Sequence, residues 1–578
     1  MSGERDRTRV YPLRDYAFVA DGERGALLGP DGNVAWMCAP RWHDPALFST
    51  LIGGESGYSI TPAGRYVWGG YYESRSLIWR SRWVTADGIV ECREALALPA
   101  DPKRAVLLRH LEVHSGRARL RVRLDPRADF DAERLRELGR DDGGGWHGRM
   151  GDQLELHWFG AEEARVEDDA ALTFELELRE GDERDFVLTI GGTPQEEEPD
   201  ALWRRTAAAW KELVPPMEHT LAPRDAGLAL AVMRGMTAAG GGMVAAATLG
   251  LPERSREGNS YDYRYAWIRD GCYAGQGAAA AGALPLLDDT LRFGRERLLE
   301  HGNELRPAYT AHGEAVPEQT HISLPGYPGG TDIVGNQVTD QFQLDAFGEL
   351  LLLIAAAGEH DRLQAEDWQA AALAARAVEA RWTAPDAGVW ELEPEEWTHS
   401  RLIAAAGLRA VCRQAPQGSD AQRWGALADA ILADTSERSL HTSGRWQRAP
   451  SDQRVDAALL MGALRGAVAA DDPRSHATLH AVLGELTEEH FVYRFRHDER
   501  PLGEAEGAFL LSGFWAALAC HQQGANEDAL RFFERARSAC GSPGLLAEEH
   551  DVAQRQLRGN LPQAFVHALL LECAAVLA

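Results

Sequence analysis

Two hydrophobic rhythms divide the chain near residue 200. Upstream of it, short segments mix β-branched and aromatic residues and alternate apolar with polar positions. They are Tyr66-Val-Trp, Leu77-Ile-Trp, Gly88-Ile-Val-Glu-Cys, Ala105-Val-Leu-Leu-Arg-His-Leu-Glu-Val, Leu120-Arg-Val-Arg-Leu, Leu154-Glu-Leu-His-Trp, Leu172-Thr-Phe-Glu-Leu-Glu-Leu and Asp185-Phe-Val-Leu-Thr-Ile. Successive strand side chains point to opposite faces, so this pattern predicts half-buried strands, and their spacing an antiparallel β-sandwich. The run Asp141 to Trp146, with Asp-Asp-Gly-Gly-Gly, predicts a hairpin loop. It has neither the lysine nor the following helix start of a phosphate-cradling loop.

Downstream, Ala/Leu-rich segments at helical spacing replace the strands. After a linking helix at 200–213, twelve candidates fall near 223–239, 269–282, 285–301, 336–358, 365–382, 397–414, 419–436, 455–468, 474–487, 506–523, 526–539 and 560–577. Short turns and long loops rich in aromatics and charges join them alternately. That order predicts six helical hairpins closed into a toroid, an (α/α)6 barrel. An open solenoid of helix pairs would show a fixed-period repeat, and the sequence has none. The expected division is a β-sandwich domain over 1–199, a helical linker over 200–222 and the barrel over 223–578.

Composition narrows the function classes. The 60 Lys+Arg against 88 Asp+Glu leave a net charge of −28, a surface that repels phosphate backbones and acidic membranes, so nucleic acid and membrane partners are not expected. Seven scattered cysteines without a CxxC pair suit reduced thiols better than a disulfide framework or zinc cluster. The charged N-terminus has no apolar stretch behind it, and the longest apolar runs, such as Leu350 to Gly358, fall short of the ~20 residues that span a bilayer. A soluble, cytoplasmic protein is expected.

Three loop segments ahead of helices carry the unusual chemistry. Ser260-Tyr-Asp-Tyr-Arg-Tyr-Ala-Trp-Ile-Arg-Asp270 crowds aromatics, arginines and aspartates together. A sugar ring offers C–H faces for stacking and a rim of hydroxyls for carboxylate and guanidinium groups, which makes this a candidate sugar subsite. An aromatic anchor between the two domains is the alternative. In Gly388-Val-Trp-Glu391-Leu-Glu-Pro-Glu-Glu-Trp397, carboxylates sit between tryptophans. A carboxyl walled by aromatics is suited to act as a general acid near neutrality, and Glu391, directly after Trp390, is the candidate. The third segment, Gly544-Leu-Leu-Ala-Glu548-Glu-His-Asp551, lacks the paired histidines of a metal site and offers Glu548 as a general base. Inverting glycoside hydrolysis places two carboxyls about 6.5 to 9.5 Å apart, and only a closed fold brings such distant positions together.

The chain resembles glycoside hydrolase family 15, the glucoamylase, glucodextranase and bacterial or archaeal trehalase group. Leu13-Arg-Asp-Tyr-Ala-Phe-Val-Ala-Asp-Gly and Leu28-Gly-Pro-Asp-Gly-Asn-Val-Ala-Trp are similar to the trehalase-like N-terminal β-domain. Tyr261-Asp-Tyr-Arg-Tyr-Ala-Trp-Ile-Arg-Asp, Gly335-Asn-Gln-Val-Thr-Asp, Val389-Trp-Glu, Thr398-His-Ser, Glu506-Gly-Ala-Phe-Leu and Leu546-Ala-Glu-Glu-His-Asp follow in the family's order. The resemblance implies that Tyr263 stacks on the non-reducing glucose, that Arg269 and Asp270 hold its hydroxyls beside Trp267 and Trp390, and that Glu391 and Glu548 are acid and base. It implies an exo-acting, inverting α-glucoside hydrolase of a small carbohydrate, with no cofactor or metal. A glycoside phosphorylase of similar plan and a non-catalytic sugar-binding homologue are the alternatives. Three departures bear on the leaving-group side: Thr331 to Val334 lacks an arginine common in relatives, Glu393 stands where arginine is frequent, and Arg401 replaces a lysine.

Overall fold

A computed structural model describes residues 10–578 apart from 152–153, 168–169, 196, 254–259, 417–419 and 499. The charged N-terminal residues 1–9, which entered the targeting argument, lie outside the described residues. The N-terminal part is an antiparallel β structure in which one strand, Ala105–Asp125, belongs to two sheets. Its first half pairs with Gly88–Leu96 and Glu183–Ile190, and its second half with Gly57–Pro62 and Ala171–Arg179. The sequence reads this strand as two. The break at His114-Ser-Gly-Arg is instead a corner, where Gly116 takes φ +71 and the chain turns from one sheet into the other. Leu107, Leu111 and Val113 from one half and Leu120, Val122 and Leu124 from the other fill the core between the sheets. The Asp141 run closes the hairpin of Arg136–Arg140 and Trp146–Met150, as its turn residues predict.

Among the described residues helix α1 (Pro199–Leu213) leads into twelve helices: α2 (Pro223–Gly235), α3 (Ile268–Ala280), α4 (Leu284–His301), α5 (Leu344–Glu359), α6 (Ala365–Arg381), α7 (Thr398–Gln414), α8 (Ala421–Arg438), α9 (Met461–Leu464, continuing a 3-10 turn at Ala457–Leu460), α10 (Pro473–Glu485), α11 (Leu510–Gln522), α12 (Asn526–Arg537) and α13 (Ala564–Val576). Six form an inner ring in which α3 packs on α5, α5 on α7, α7 on α9, α9 on α11, α11 on α13 and α13 back on α3. The other six pack outside them. The two rings differ as burial demands: outer α12 is amphipathic and buries Ala529, Phe532, Phe533 and Ala536, whereas inner α13 is buried from Ala564 to Cys573 and on to Ala574.

Every inner helix turns its N-terminus toward the same rim. The segments that precede them therefore converge there, including Tyr263 to Trp267 before α3, Glu391 to Trp397 before α7, Asp456 before α9 and Glu548 to Gln563 before α13. Among the described residues no helix is long and apolar enough to cross a membrane, and all seven cysteines are free.

Candidate active site

The segment before α3 serves two purposes through its period of two. Even positions anchor it. Arg264 is buried, pairs with Asp262 (2.7 Å), and donates to Asp44 O (2.9 Å), Trp42 O (3.3 Å) and Cys38 Sγ (3.2 Å) of the β-domain. Tyr261, Tyr263 and Trp267 build the site. Tyr261 and Tyr263 lie nearly parallel, 6.2 Å between centroids, and Tyr263 meets the edge of Trp267 at 5.5 Å. An extended chain sends alternate side chains to opposite faces, so the stretch can anchor to the β-domain on one side and gather aromatic rings on the other.

Trp267 and Tyr263 connect the two glutamates. Trp267 Nε1 donates to Glu391 Oε1 (2.8 Å), and the Tyr263 hydroxyl donates to Glu548 Oε1 (3.2 Å). Arg269, in the first turn of α3, donates to Val389 O (3.0 Å), to Glu391 Oε1 (3.4 Å) and to Asp270 Oδ1 (3.2 Å). Burial pushes Asp270 up to about 6 against the opposing pull of Arg269. Asp345, in the first turn of α5, is pushed up to about 6 by the same burial, again opposed by Arg269.

Glu391 sits in a left-handed backbone conformation at φ +54, which costs a non-glycine residue about 1–2 kcal/mol. The surrounding contacts impose it. Glu391 N donates to Gly388 O (3.2 Å) and Leu392 N to Ala387 O (2.9 Å), while buried Asp386 accepts from Gly388 N and Ser400 Oγ, each at 2.8 Å. Gly388, itself at φ +67, has no room for a side chain against Trp397.

Glu548 precedes a strand, Glu549–Asp551, that pairs with Ala508–Phe509 and Gln556–Arg558. Its carbonyl accepts from Leu510 N at the start of α11 (3.1 Å). Among the described residues its Oε2 has no hydrogen-bond partner. Burial first, then the charge of Glu253, hold Glu548 well above the usual carboxylate range, while Arg494 and the Tyr263 hydroxyl pull it down. Gly559 is at φ +78, and a side chain there would meet Glu548 Cβ and Oε2 at 3.0 and 3.1 Å.

Tyr263, Trp267, Arg269, Asp270, Glu391 and Glu548 thus share one site. Trp390, next to Glu391 in the chain, is fixed by other partners. Its Nε1 donates to both oxygens of Asp456 (2.9 and 3.0 Å), and its ring supports the Arg494 guanidinium at 5.4 Å. Trp267 is an aromatic neighbour of Glu391 through its 2.8 Å hydrogen bond. The sequence reading also passes over Glu253, 3.5 Å from the Tyr263 hydroxyl, and over Asp345 and Arg494. Arg494 carries the one legible signal: it lies between Tyr493 and Phe495, an aromatic-flanked arginine like those of the Tyr261 segment. The described residues hold no cluster of metal-ligating side chains.

A closed double ring of helices gathers acidic and aromatic side chains at one rim, and comparison with known proteins gives its class. The model for Glycosyl hydrolases family 15 matches residues 228–575, and the chain belongs to that family and is a glycoside hydrolase. A trehalase-like N-terminal model matches residues 7–169. The trehalase of Mycobacterium tuberculosis is 29% identical, over 97% of this chain and 88% of its own. That of Mycolicibacterium smegmatis is 29% identical over 99% of this chain and 92% of its own. A bacterial glucoamylase complexed with acarbose shares the fold at a TM-score of 0.72 and 13% identity, covering 100% of this chain and 95% of that one.

Proposed function

We propose that the chain hydrolyses a small α-glucoside from its non-reducing end with inversion, releasing β-glucose, and that trehalose is the substrate. The observation that carries the reaction is the chain of contacts from Glu391 through Trp267 and Tyr263 to Glu548, which sets two carboxylates at one buried rim. The long match to two trehalases supports the substrate. Glucose occupies the buried end, with its hydroxyls on Asp270 and Arg269 and its ring against Tyr263. Glu391 gives its proton to the glycosidic oxygen. Glu548, through the oxygen that accepts from no donor among the described residues, takes a proton from water attacking the opposite face. The C1–O bond to the leaving group breaks as the bond to water forms, and both glutamates re-equilibrate with solvent before the next turnover.

Proton NMR during trehalose cleavage should show α- and β-glucose appearing in equal amounts, the β-anomer from the attacked ring and the α-anomer from the leaving one, and initial release of α-glucose alone would overturn inversion. Trehalose should lead a panel of glucose disaccharides differing only in linkage. α-Glucosyl fluoride assigns the two roles, because fluoride leaves without a proton. Glu391→Gln should retain most turnover of the fluoride but lose about 10²- to 10⁴-fold on the disaccharide, and Glu548→Gln should lose both. The opposite pattern would exchange the roles.

A further inference from the structure

We propose that Tyr261 is a specificity-determining residue, the platform on which the leaving sugar stacks; this rests on the reading of Glu391 and Glu548 as the hydrolytic pair. Exposure grades along the site. Asp270, Arg269 and Trp267 are buried, the Glu391 side chain is 25% exposed, and Tyr261 is 40% exposed. An exo-acting site holds the terminal glucose at its closed end. The leaving unit then projects from the glutamates toward the open end, where Tyr261 stands.

The ring is placed for this contact. It stacks nearly parallel to Tyr263, at 8° and 6.2 Å between centroids. Tyr263, against which it stacks, donates its hydroxyl to Glu548 Oε1 (3.2 Å), so the Tyr261 ring stands one side chain away from the reacting pair. The backbone beneath is fixed: Tyr261 O accepts from Asn560 Nδ2 (2.8 Å) and Gly250 N (3.1 Å), and the Ser260 hydroxyl shares a 2.7 Å hydrogen bond with that of Thr331. A large exposed ring on an immobile backbone is a preformed surface that loses little entropy on binding. Sugar C–H faces stack on such rings. The Thr331 to Val334 stretch, which departs from relatives, is tied through Ser260 to this platform.

The test compares a disaccharide that the wild type cleaves with α-glucosyl fluoride, whose leaving group offers nothing to stack. Tyr261→Ala should lower kcat/KM for the disaccharide about tenfold, mainly through KM, with the fluoride changed less than about twofold. Tyr261→Phe, which keeps the ring, should stay near wild type on both. Equal losses on the two substrates, no loss on either, or a Tyr261→Phe variant as impaired as Tyr261→Ala would each overturn the platform. Failure of the underlying reading shows elsewhere, as fluoride turnover that survives Glu548→Gln.

Discussion

Glu391 and Glu548 end the same chain of aromatic contacts, yet their surroundings are made of opposite materials. Glu391 collects donors: the Trp267 indole and the Arg269 guanidinium both point at one of its oxygens, and a quarter of its side chain meets solvent. Glu548 is 5% exposed, accepts one phenolic hydroxyl, and has Glu253 as its strongest charged neighbour. One carboxylate is held in position by partners. The other is held in an environment where its charge is costly, and Arg494 is what offsets that cost. Two identical side chains are thereby made chemically unlike by their neighbours alone.

The phenol between Glu253 and Glu548 offers the largest handle on that difference. Tyr263→Phe removes a hydrogen bond that lowers Glu548, so the base ionises at higher pH. The acid limb of kcat/KM should move up, with kcat reduced about 10- to 100-fold. Glu253→Gln should act in the opposite direction, since it removes a charge that raises Glu548. Its acid limb should move down with a smaller change on the plateau. Shifts of the same sign in the two variants would break the account of Glu548 as a buried carboxyl caught between opposing neighbours.

On the Glu391 side the informative quantity is stability. Glycine adopts φ +54 freely and alanine does not, so Glu391→Gly should be more stable than Glu391→Ala by about 1 kcal/mol in denaturant unfolding, although both lack the carboxylate. Equal stabilities would show that the turn relaxes. The smallest effect concerns Glu349 on α5, which burial pushes up to about 7 and which accepts from Gln276 Nε2 (2.8 Å). Its folded value lies above the ordinary 4.5, so its contribution is fully present below pH 4.5 and is lost as pH rises through 7. Thermal melts should therefore show Glu349→Gln gaining on wild type above pH 7 and matching it near pH 4. If burial is what acts on Glu548, Glu349 should respond to it too.

How much of this was legible varies with how local the cause is. The twelve barrel helices follow from apolar spacing because each buries a continuous face, and errors gather at their N-termini. Residues 336–343 read as helix, but Asn336 accepts from Val338 N and folds them into a 3-10 turn ahead of α5. Residues 506–509 read likewise, but Ala508–Phe509 is drawn into a strand by Glu549 and His550, some forty residues away. Strands Ala17–Ala20, Gly25–Leu28 and Asn33–Cys38 escape a search for alternation because both of their faces are almost wholly buried. At the site, motifs bring forward both glutamates and the Arg269–Asp270 pair. The bond from Trp267 to Glu391 and the approach of Glu253 to Glu548 each join residues far apart along the chain, and no local pattern encodes either.

The closed inner ring has an evolutionary consequence. In an open stack of helical hairpins a unit can be gained or lost at little cost, because the ends are free. Here α13 packs on α3, so deleting any hairpin would strip apolar flanks from two neighbours at once. Repeat number is thus frozen, and variation is driven into the rim segments that precede each inner helix. Changes in what such a fold binds are therefore expected in loops such as Thr331 to Val334, ahead of α5, rather than in the ring that carries them.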